Sequence, residues 1–383
     1  FGHCLCIWLV TQWQQLLAKT KNLQLVECGP GKGTLMVDVL SLATSSKLAD
    51  FGESIRQIHF VEPSPQLREE QEKSLRDNLG HIIDFTFSDG AKEAKEAAVK
   101  AQGNAFSIQV QWHKSFAEFQ RRQQQQQGDS GNSLPTMILA QELFDALPVH
   151  SFEYTRDGWR ERLIDVVDKD ENPPSVQEGD EEKALVPRLR QVVAPDETPA
   201  SQVLLKNMRS DAIEEGTTME ICPEGIFLIQ DMQQFLTKNG GVALIVDYGE
   251  NGTGDSLRAF SNHKQVPLTS YPGCVDITAD VDFFALKKTV NDKAELAQKK
   301  EGKDSRPVYA HGPVPQGEFL MRMGASDMAI KKIEDDETSL EEANAISEAL
   351  SFLVLPEHMG KKFKVLALAP KRDGLFAPAG MEE

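Results

Sequence analysis

One stretch restricts this chain more than any other: Leu23-Gln-Leu-Val-Glu-Cys-Gly-Pro-Gly-Lys-Gly-Thr-Leu-Met36. An apolar run (Leu23, Leu25, Val26) reaches Glu27, glycines follow at 29, 31 and 33, and Thr34 to Leu40 carries apolar residues at helical spacing. The pattern predicts a buried strand, a tight turn and a helix start. Glycine is needed where a backbone turns sharply or a ligand leaves no room for a Cβ. The helix then offers its free N–H groups to whatever lies on the turn.

Spacing separates the possible ligands. A dinucleotide fingerprint reads G-x-G-x-x-G. Here the motif is E-x-G-x-G-x-G, and Thr34 stands where the third dinucleotide glycine belongs. A carboxylate at the strand end suits a ligand bearing an ammonium group better than one bearing phosphates. Glu27, Gly29, Gly31 and Gly33 are therefore read as a site for S-adenosyl-L-methionine, and an NAD-dependent oxidoreductase is disfavoured.

The rest of the chain reads as an α/β protein. Residues 3 to 19 carry a helical apolar stripe (Leu5, Trp8, Leu9, Trp13, Leu16, Leu17). Ile55 to Glu62 predicts a second strand, followed by a charged helix from Gln66 to Leu79. An acidic residue closing the second strand is where a Rossmann-type site holds ribose hydroxyls. Glu62 is assigned there, although it lies beyond the usual interval of about 20 residues after the glycines; the alternative is a surface glutamate before proline. Residues 84 to 107 are polar and alanine-rich. Phe106 to Trp112 alternates like a strand and ends at Trp112-His113, both placed beside the adenine, with a core role for Trp112 left open. Gln123 to Gln127 reads as a low-complexity loop.

Thr136 to Ala140 predicts another buried strand, running into Gln141-Glu-Leu-Phe-Asp145. Carboxyl ends of strands line the ligand crevice of an open α/β sheet, which makes Glu142 and Asp145 candidates for chemistry. Phe152 to Ile164 predicts a hairpin around Asp157-Gly158. A short strand between Gly216 and Gly225, a helix from Ile226 to Lys238 and a core strand from Gly241 to Gly249 follow, the last carrying Asp247 and Tyr248 at its end. Residues 287 to 305 read as a charged insertion, before a helix around Leu340 to Leu353 and a last strand, Phe363 to Ala369.

Composition excludes several classes. A formal net charge of −18 over 383 residues has the wrong sign for a generic nucleic-acid binder. Much of the acidity sits in runs such as 177 to 182 and 334 to 337, read as solvated loops. No apolar run approaches the roughly 20 residues that span a bilayer, so no transmembrane segment is expected. Five scattered cysteines, with no C-x-x-C pair, fit a reducing compartment and offer no zinc site. The first residue is Phe1 and the opening segment already reads as a core helix, so the chain is expected to begin inside a domain.

With Glu142-Leu-Phe-Asp-Ala-Leu-Pro-Val-His150 and Val246-Asp-Tyr-Gly249 set beside the glycine turn, the chain resembles the MidA-like mitochondrial protein arginine methyltransferases that assist assembly of respiratory complex I. Gly254-Asp-Ser-Leu-Arg258, Asp276-Ile-Thr-Ala-Asp-Val-Asp-Phe283 and Gly312-Pro-Val-Pro-Gln-Gly-Glu-Phe-Leu320 extend the resemblance over nearly the whole chain. The family has further sequence before the position of Phe1, including a targeting segment, and its compact members lack the glutamine run and acidic loops. The resemblance implies a Rossmann-like class I S-adenosylmethionine-dependent methyltransferase fold with insertions. It also implies symmetric dimethylation of an arginine on a matrix-arm complex I subunit, in the mitochondrial matrix. The division expected is residues 1–150 as the cofactor half of the core, 151–240 as a β-rich and acidic insertion plus a helix, and 241–383 as the second half.

Methyl transfer is an in-line displacement in which positioning supplies most of the acceleration. An arginine acceptor is oriented by carboxylates in bidentate geometry. Glu142, Asp145 and Asp247 are the candidates; the alternatives are that Asp145 caps a turn and that Asp247 holds backbone N–H groups. Asp276, Asp280 and Asp282 form a carboxylate block that suits a basic substrate segment; a metal site is the rival, without a histidine to support it. Tyr248 is placed either facing the sulfonium or in a structural role. A non-catalytic assembly chaperone with a retained cofactor fold is the competing function.

Overall fold

The computed structural model describes residues 1–88, 106–127, 134–167, 189–206, 213–301, 306–371 and 377–382. In chain order the strands are β1 (Leu23–Cys28), β2 (Ile55–Val61), β3 (Ile83–Ser88), β4 (Phe106–His113) and β5 (Thr136–Gln141). Next come β6 (His150–Thr155), β7 (Gly158–Val166), β8 (Leu189–Val193) and β9 (Thr218–Ile221). β10 (Gly241–Glu250), β11 (Arg258–Ser261), β12 (Lys264–Val266), β13 (Asp276–Thr278) and β14 (Val281–Asp282) follow. β15 (Val308–Pro315) and β16 (Phe363–Pro370) complete the set. The chain divides into two compact units. The first is Phe1–Leu143, Phe227–Tyr248 and Leu286–Glu383; the second is Phe144–Ile226 and Gly249–Ala285.

The first unit is built on a sheet of order β15-β16-β10-β5-β1-β2-β4-β3. β3, β4, β2, β1, β5 and β10 run parallel, and β16 lies antiparallel between β10 and β15. The chain leaves β1 towards β2 on one side, while β5 and β10 lie on the other. The strand order therefore reverses at β1, where an open α/β sheet opens its ligand crevice.

Strands covered on both faces become continuous apolar runs, which is why β1 is buried at every position. Leu23, Leu25, Met137, Leu139, Leu244 and Val246 pack with Trp8, Met36 and Leu75 from the helices Gly2–Gln15, Thr34–Ala43 and Pro65–Leu79. On the opposite face the Phe119 ring packs against His59, His113 and Phe235. Each such buried side chain is worth about 1.5–3 kcal/mol. This face also carries a polar chain across four strands. His113 Nε2 lies 3.0 Å from His59 Nδ1, His59 Nε2 lies 3.1 Å from Gln24 Oε1, and Gln24 Nε2 donates to Thr136 Oγ1 at 2.8 Å.

In the second unit β8-β7-β6-β9 form an antiparallel sheet and β12-β11-β13 a smaller one. The turn between β6 and β7 is the Asp157-Gly158 hairpin, with Gly158 at φ 94°. β14 pairs with the end of β10, Gly249 opposite Val281.

Three readings change. Gln123 to Gln127 is not a loop: it ends the helix Phe116–Gln127, because glutamine is a good helix former and Phe116, Phe119 and Gln123 are buried. Most of the charged stretch 287 to 305 lies in the helix Phe283–Glu301. Its buried stripe of Leu286, Val290 and Ala294 is masked in the sequence by the lysines around it. β3 occupies the start of the polar stretch from 84, as an edge strand in which Ile83, Phe85 and Phe87 alternate with polar residues. The acidic run 177 to 182 lies outside the described residues, whereas Glu334 to Glu337 are exposed as expected.

Candidate functional site

The site is assembled from strand ends of the first unit. After β1 the chain passes through Gly29, Gly31 and Gly33 at φ 70°, 51° and 78°. Such left-handed backbone is disfavoured for residues with a Cβ. Gly29 N donates to the Val61 carbonyl at 3.1 Å and Gly33 N to the Pro30 carbonyl at 2.8 Å, which fixes the turn against the end of β2. The turn's two later glycines differ in surroundings. A Cβ on Gly33 would stand 3.3 Å from Gln71 Cγ, whereas one on Gly31 would meet nothing within 4 Å. Gly31 is the open face of the turn.

Glu27, at the end of β1 just before the turn, is only 3% exposed. Its Oε2 has no hydrogen-bond partner among the described residues, and burial pushes its carboxyl up to about 8. An unpaired buried carboxylate is costly and responds by holding its proton. A ligand ammonium group would remove that penalty. The orphaned oxygen and the open glycine turn thus fit the amino-acid end of S-adenosyl-L-methionine.

Glu62 is 5% exposed, not a surface glutamate. Its Oε1 accepts from Ser64 N at 2.8 Å, and its own carbonyl accepts from Arg68 Nε and Nη2 at 2.8 and 2.6 Å. Pro65 at the first helical position and Ser64 Oγ, accepting from Leu67 N, start the helix Pro65–Leu79 beside it. That helix supplies Gln71, whose Nε2 donates to the Gly31 carbonyl at 2.6 Å and lies 3.5 Å from Glu62 Oε2. Sequence reasoning missed Gln71. The available signal was a glutamine in register with Leu75 and Leu79 on the buried stripe of a charged helix.

Trp112 and His113 are core residues. The indole N–H donates to Gln71 Oε1 at 2.8 Å and its ring stacks on Phe87 at 5.7 Å. His113 is fully buried against His59, and burial lowers its pKa to about 4, assisted by the Arg122 charge. The contact between this pair and the acidic strand end is through the backbone, where Glu62 N donates to the His113 carbonyl at 2.8 Å.

The end of β5 carries Glu142, exposed and at φ 48°. A non-glycine residue held there stores strain of about 1–3 kcal/mol, a feature that concentrates at functional sites. Two bonds hold it: Glu142 N donates to the Val246 carbonyl at 2.9 Å, and Leu143 N to Asp247 Oδ2 at 3.1 Å. Asp247 is fully buried and its Oδ1 accepts from Tyr248 N at 2.9 Å. Its carboxylate is engaged with backbone N–H groups, those of the β5 loop and of its own neighbour. Asp145 is 7% exposed and belongs to the second unit, where its carbonyl accepts from Ala279 N at 2.9 Å. Tyr248 is half-buried, with the Lys362 ammonium 5.7 Å from its ring centre.

The carboxylate block of the second unit is built into its frame. Asp280 pairs with Arg258, Asp282 Oδ1 accepts from Gly252 N and Ala285 N at 3.0 Å each, and Asp276 is exposed on β13. Glu220, buried on β9, accepts from Ser256 N and Leu257 N at 2.9 and 3.2 Å and holds the glycine-rich loop after β10. All five cysteines are free.

A parallel sheet that reverses at β1, one antiparallel strand set before its edge, and a glycine turn following a buried carboxylate with an unpartnered oxygen define a class I S-adenosylmethionine-dependent methyltransferase. The chain belongs to that family: residues 4–300 match the family described as "Putative S-adenosyl-L-methionine-dependent methyltransferase". It is 33% identical over 380 residues to "Protein arginine methyltransferase NDUFAF7, mitochondrial" of Bos taurus, covering 97% of this chain and 71% of that one. The Danio rerio protein of the same name is 31% identical over 371 residues, covering 96% and 74%. Among solved structures it is similar to a COG1565 superfamily member from Burkholderia thailandensis bound to S-adenosyl-homocysteine. That likeness has a TM-score of 0.64 at 18% identity and covers 99% of this chain and 77% of the other. A native structure of such a protein from the same organism gives 0.67, also at 18% identity, covering 100% and 82%. At that identity the likeness establishes the fold.

Proposed function

We propose that this chain is a protein arginine N-methyltransferase that uses S-adenosyl-L-methionine to modify a matrix-arm subunit of mitochondrial complex I by symmetric dimethylation, aiding its assembly. The acceptor class and the compartment follow the names of its relatives and the sequence resemblance. The observation that carries the cofactor site is Glu27, a buried carboxylate with an unpartnered oxygen at the strand end that leads into an open glycine turn.

In this reading Glu27 receives the ammonium group and Gly29, Gly31 and Gly33 give the backbone close approach. Glu62, oriented by Ser64 N and Arg68, takes the ribose hydroxyls, and Trp112 and His113 form the wall behind it. The bound cofactor supplies an activated methyl group on a sulfonium, so the leaving group needs no acid. What remains for the protein is orientation and exclusion of water. Glu142 projects from the end of β5 and holds the acceptor guanidinium by paired, charge-assisted hydrogen bonds. Asp247 positions Glu142 through the Leu143 N–H.

The test separates binding from chemistry. Glu142→Gln is expected to retain S-adenosyl-homocysteine affinity and lose most methyl transfer, at least about 100-fold, because a neutral amide matches neither the charge nor the fork of a guanidinium. Calorimetry and methylation of a complex I subunit on one preparation give both numbers. Wild-type turnover in Glu142→Gln would remove this residue from the mechanism.

A further inference from the structure

We infer that Gln71 is a positioning residue that locks the glycine turn to the acidic end of β2, so that cofactor affinity depends on its amide nitrogen. The inference rests on the cofactor lying over the glycine turn.

The orientation of this amide is determined by its neighbours. An indole N–H can only donate, so the atom of Gln71 facing Trp112 Nε1 at 2.8 Å must be the oxygen. The nitrogen then faces two acceptors: the Gly31 carbonyl at 2.6 Å and Glu62 Oε2 at 3.5 Å. Gln71 is fully buried, as is Trp112 to within 3%. The three partners come from three elements, the turn after β1, the end of β2 and the end of β4, and one side chain ties them together. Gly33 packs on the same residue, its Cβ position 3.3 Å from Gln71 Cγ.

Gly31 is also where the turn is open, so its carbonyl is held from behind while its free side faces the ligand. Without the amide, the turn keeps its own bonds from Gly29 N and Gly33 N but loses the one that sets the plane of the Gly31 peptide. Glu62 keeps the Ser64 N–H and loses the second donor near Oε2. The amino-acid end and the ribose of the cofactor are then bound by groups that must be ordered on binding, which lowers affinity.

Gln71→Glu tests this in an almost isosteric side chain. Its oxygen still accepts from Trp112, but the second oxygen faces the Gly31 carbonyl and the Glu62 carboxylate. At pH 8 S-adenosyl-homocysteine should bind about tenfold more weakly or worse than to wild type, the scale of a lost charge-assisted hydrogen bond. Because the new carboxyl would hold a proton when crowded by Glu62, the ratio of variant to wild-type dissociation constants should narrow as pH falls to 6. In turnover the loss should appear as a raised KM for S-adenosylmethionine with kcat little changed, the signature of uniform binding. Gln71→Met, which keeps length without a donor, should bind weakly at every pH, and it decides the matter if Gln71→Glu does not fold. Affinity within about twofold of wild type in the folded variant would overturn the role of Gln71 alone. Failure of the wild-type protein itself to bind S-adenosyl-homocysteine would overturn the site, and this role with it.

Discussion

At Glu27 one side chain links stability to function with opposite signs. Its carboxyl is raised from 4.5 to about 8 by burial. Between those two values the folded, unliganded protein holds a proton that the unfolded chain has released. Stability therefore falls as pH rises through that window and is restored below it. Glu27→Gln removes the titration at nearly constant volume. The unliganded variant is expected to melt above wild type at pH 8 and close to it at pH 5. The same change should weaken S-adenosyl-homocysteine by roughly 1.5–3 kcal/mol, since the ammonium group loses a charged partner. Thermal melts with and without ligand at both pH values check both halves. A variant that melts below wild type at pH 8 would mean that the carboxylate serves the fold instead of the ligand.

The glycine turn shows how an element divides its requirements between positions. At Gly33 a valine would meet both a left-handed φ and the Gln71 side chain, so the helix Pro65–Leu79 must shift. At Gly31 only φ opposes it, because the space is open. Gly33→Val should thus lower unfolding stability by clearly more than Gly31→Val, whose strain is about 1–2 kcal/mol. Gly31→Val should nevertheless abolish cofactor binding, as its branched side chain fills the ligand's approach. Urea unfolding with calorimetry on both variants tests the division; equal stability losses would contradict it. This turn was legible in the sequence because its chemistry is local: strand, carboxylate, glycines and helix lie within fourteen consecutive residues. β5 and β10 were legible for the same reason, as apolar runs with carboxylates at their ends. Gln71 was not, since its partners Gly31 and Trp112 stand 40 and 41 residues away. Nor was the bond from Leu143 N to Asp247, which spans 104 residues. Glu142 was picked by position, but the strained φ that distinguishes it is a property of the folded backbone.

Across the whole molecule, the groups assigned to the cofactor come from segments far apart in sequence but confined to the first unit. They are the turn after β1, the end of β2 with its following helix, and the end of β4. A ligand that binds only the folded form of these segments stabilises them by RT ln(1 + [L]/Kd), about 2.7 kcal/mol at 100 times Kd. Amides that exchange through opening of this frame should then exchange about 100-fold more slowly. Hydrogen exchange with saturating S-adenosyl-homocysteine is therefore expected to give the strongest new protection in residues 26–36 and 59–71, with β5 sharing it through its pairing to β1. Trp112 and His113 close β4, and Glu62 N donates to the His113 carbonyl, so peptides covering 106–113 should share the effect. β6, β7 and β9 carry none of the assigned cofactor groups, and the carboxylates and loop bonds around Glu220 and Asp282 close within the second unit. Protection centred on those strands, with the glycine turn unchanged, would move the cofactor away from β1 and remove Glu27 and Glu62 from its binding.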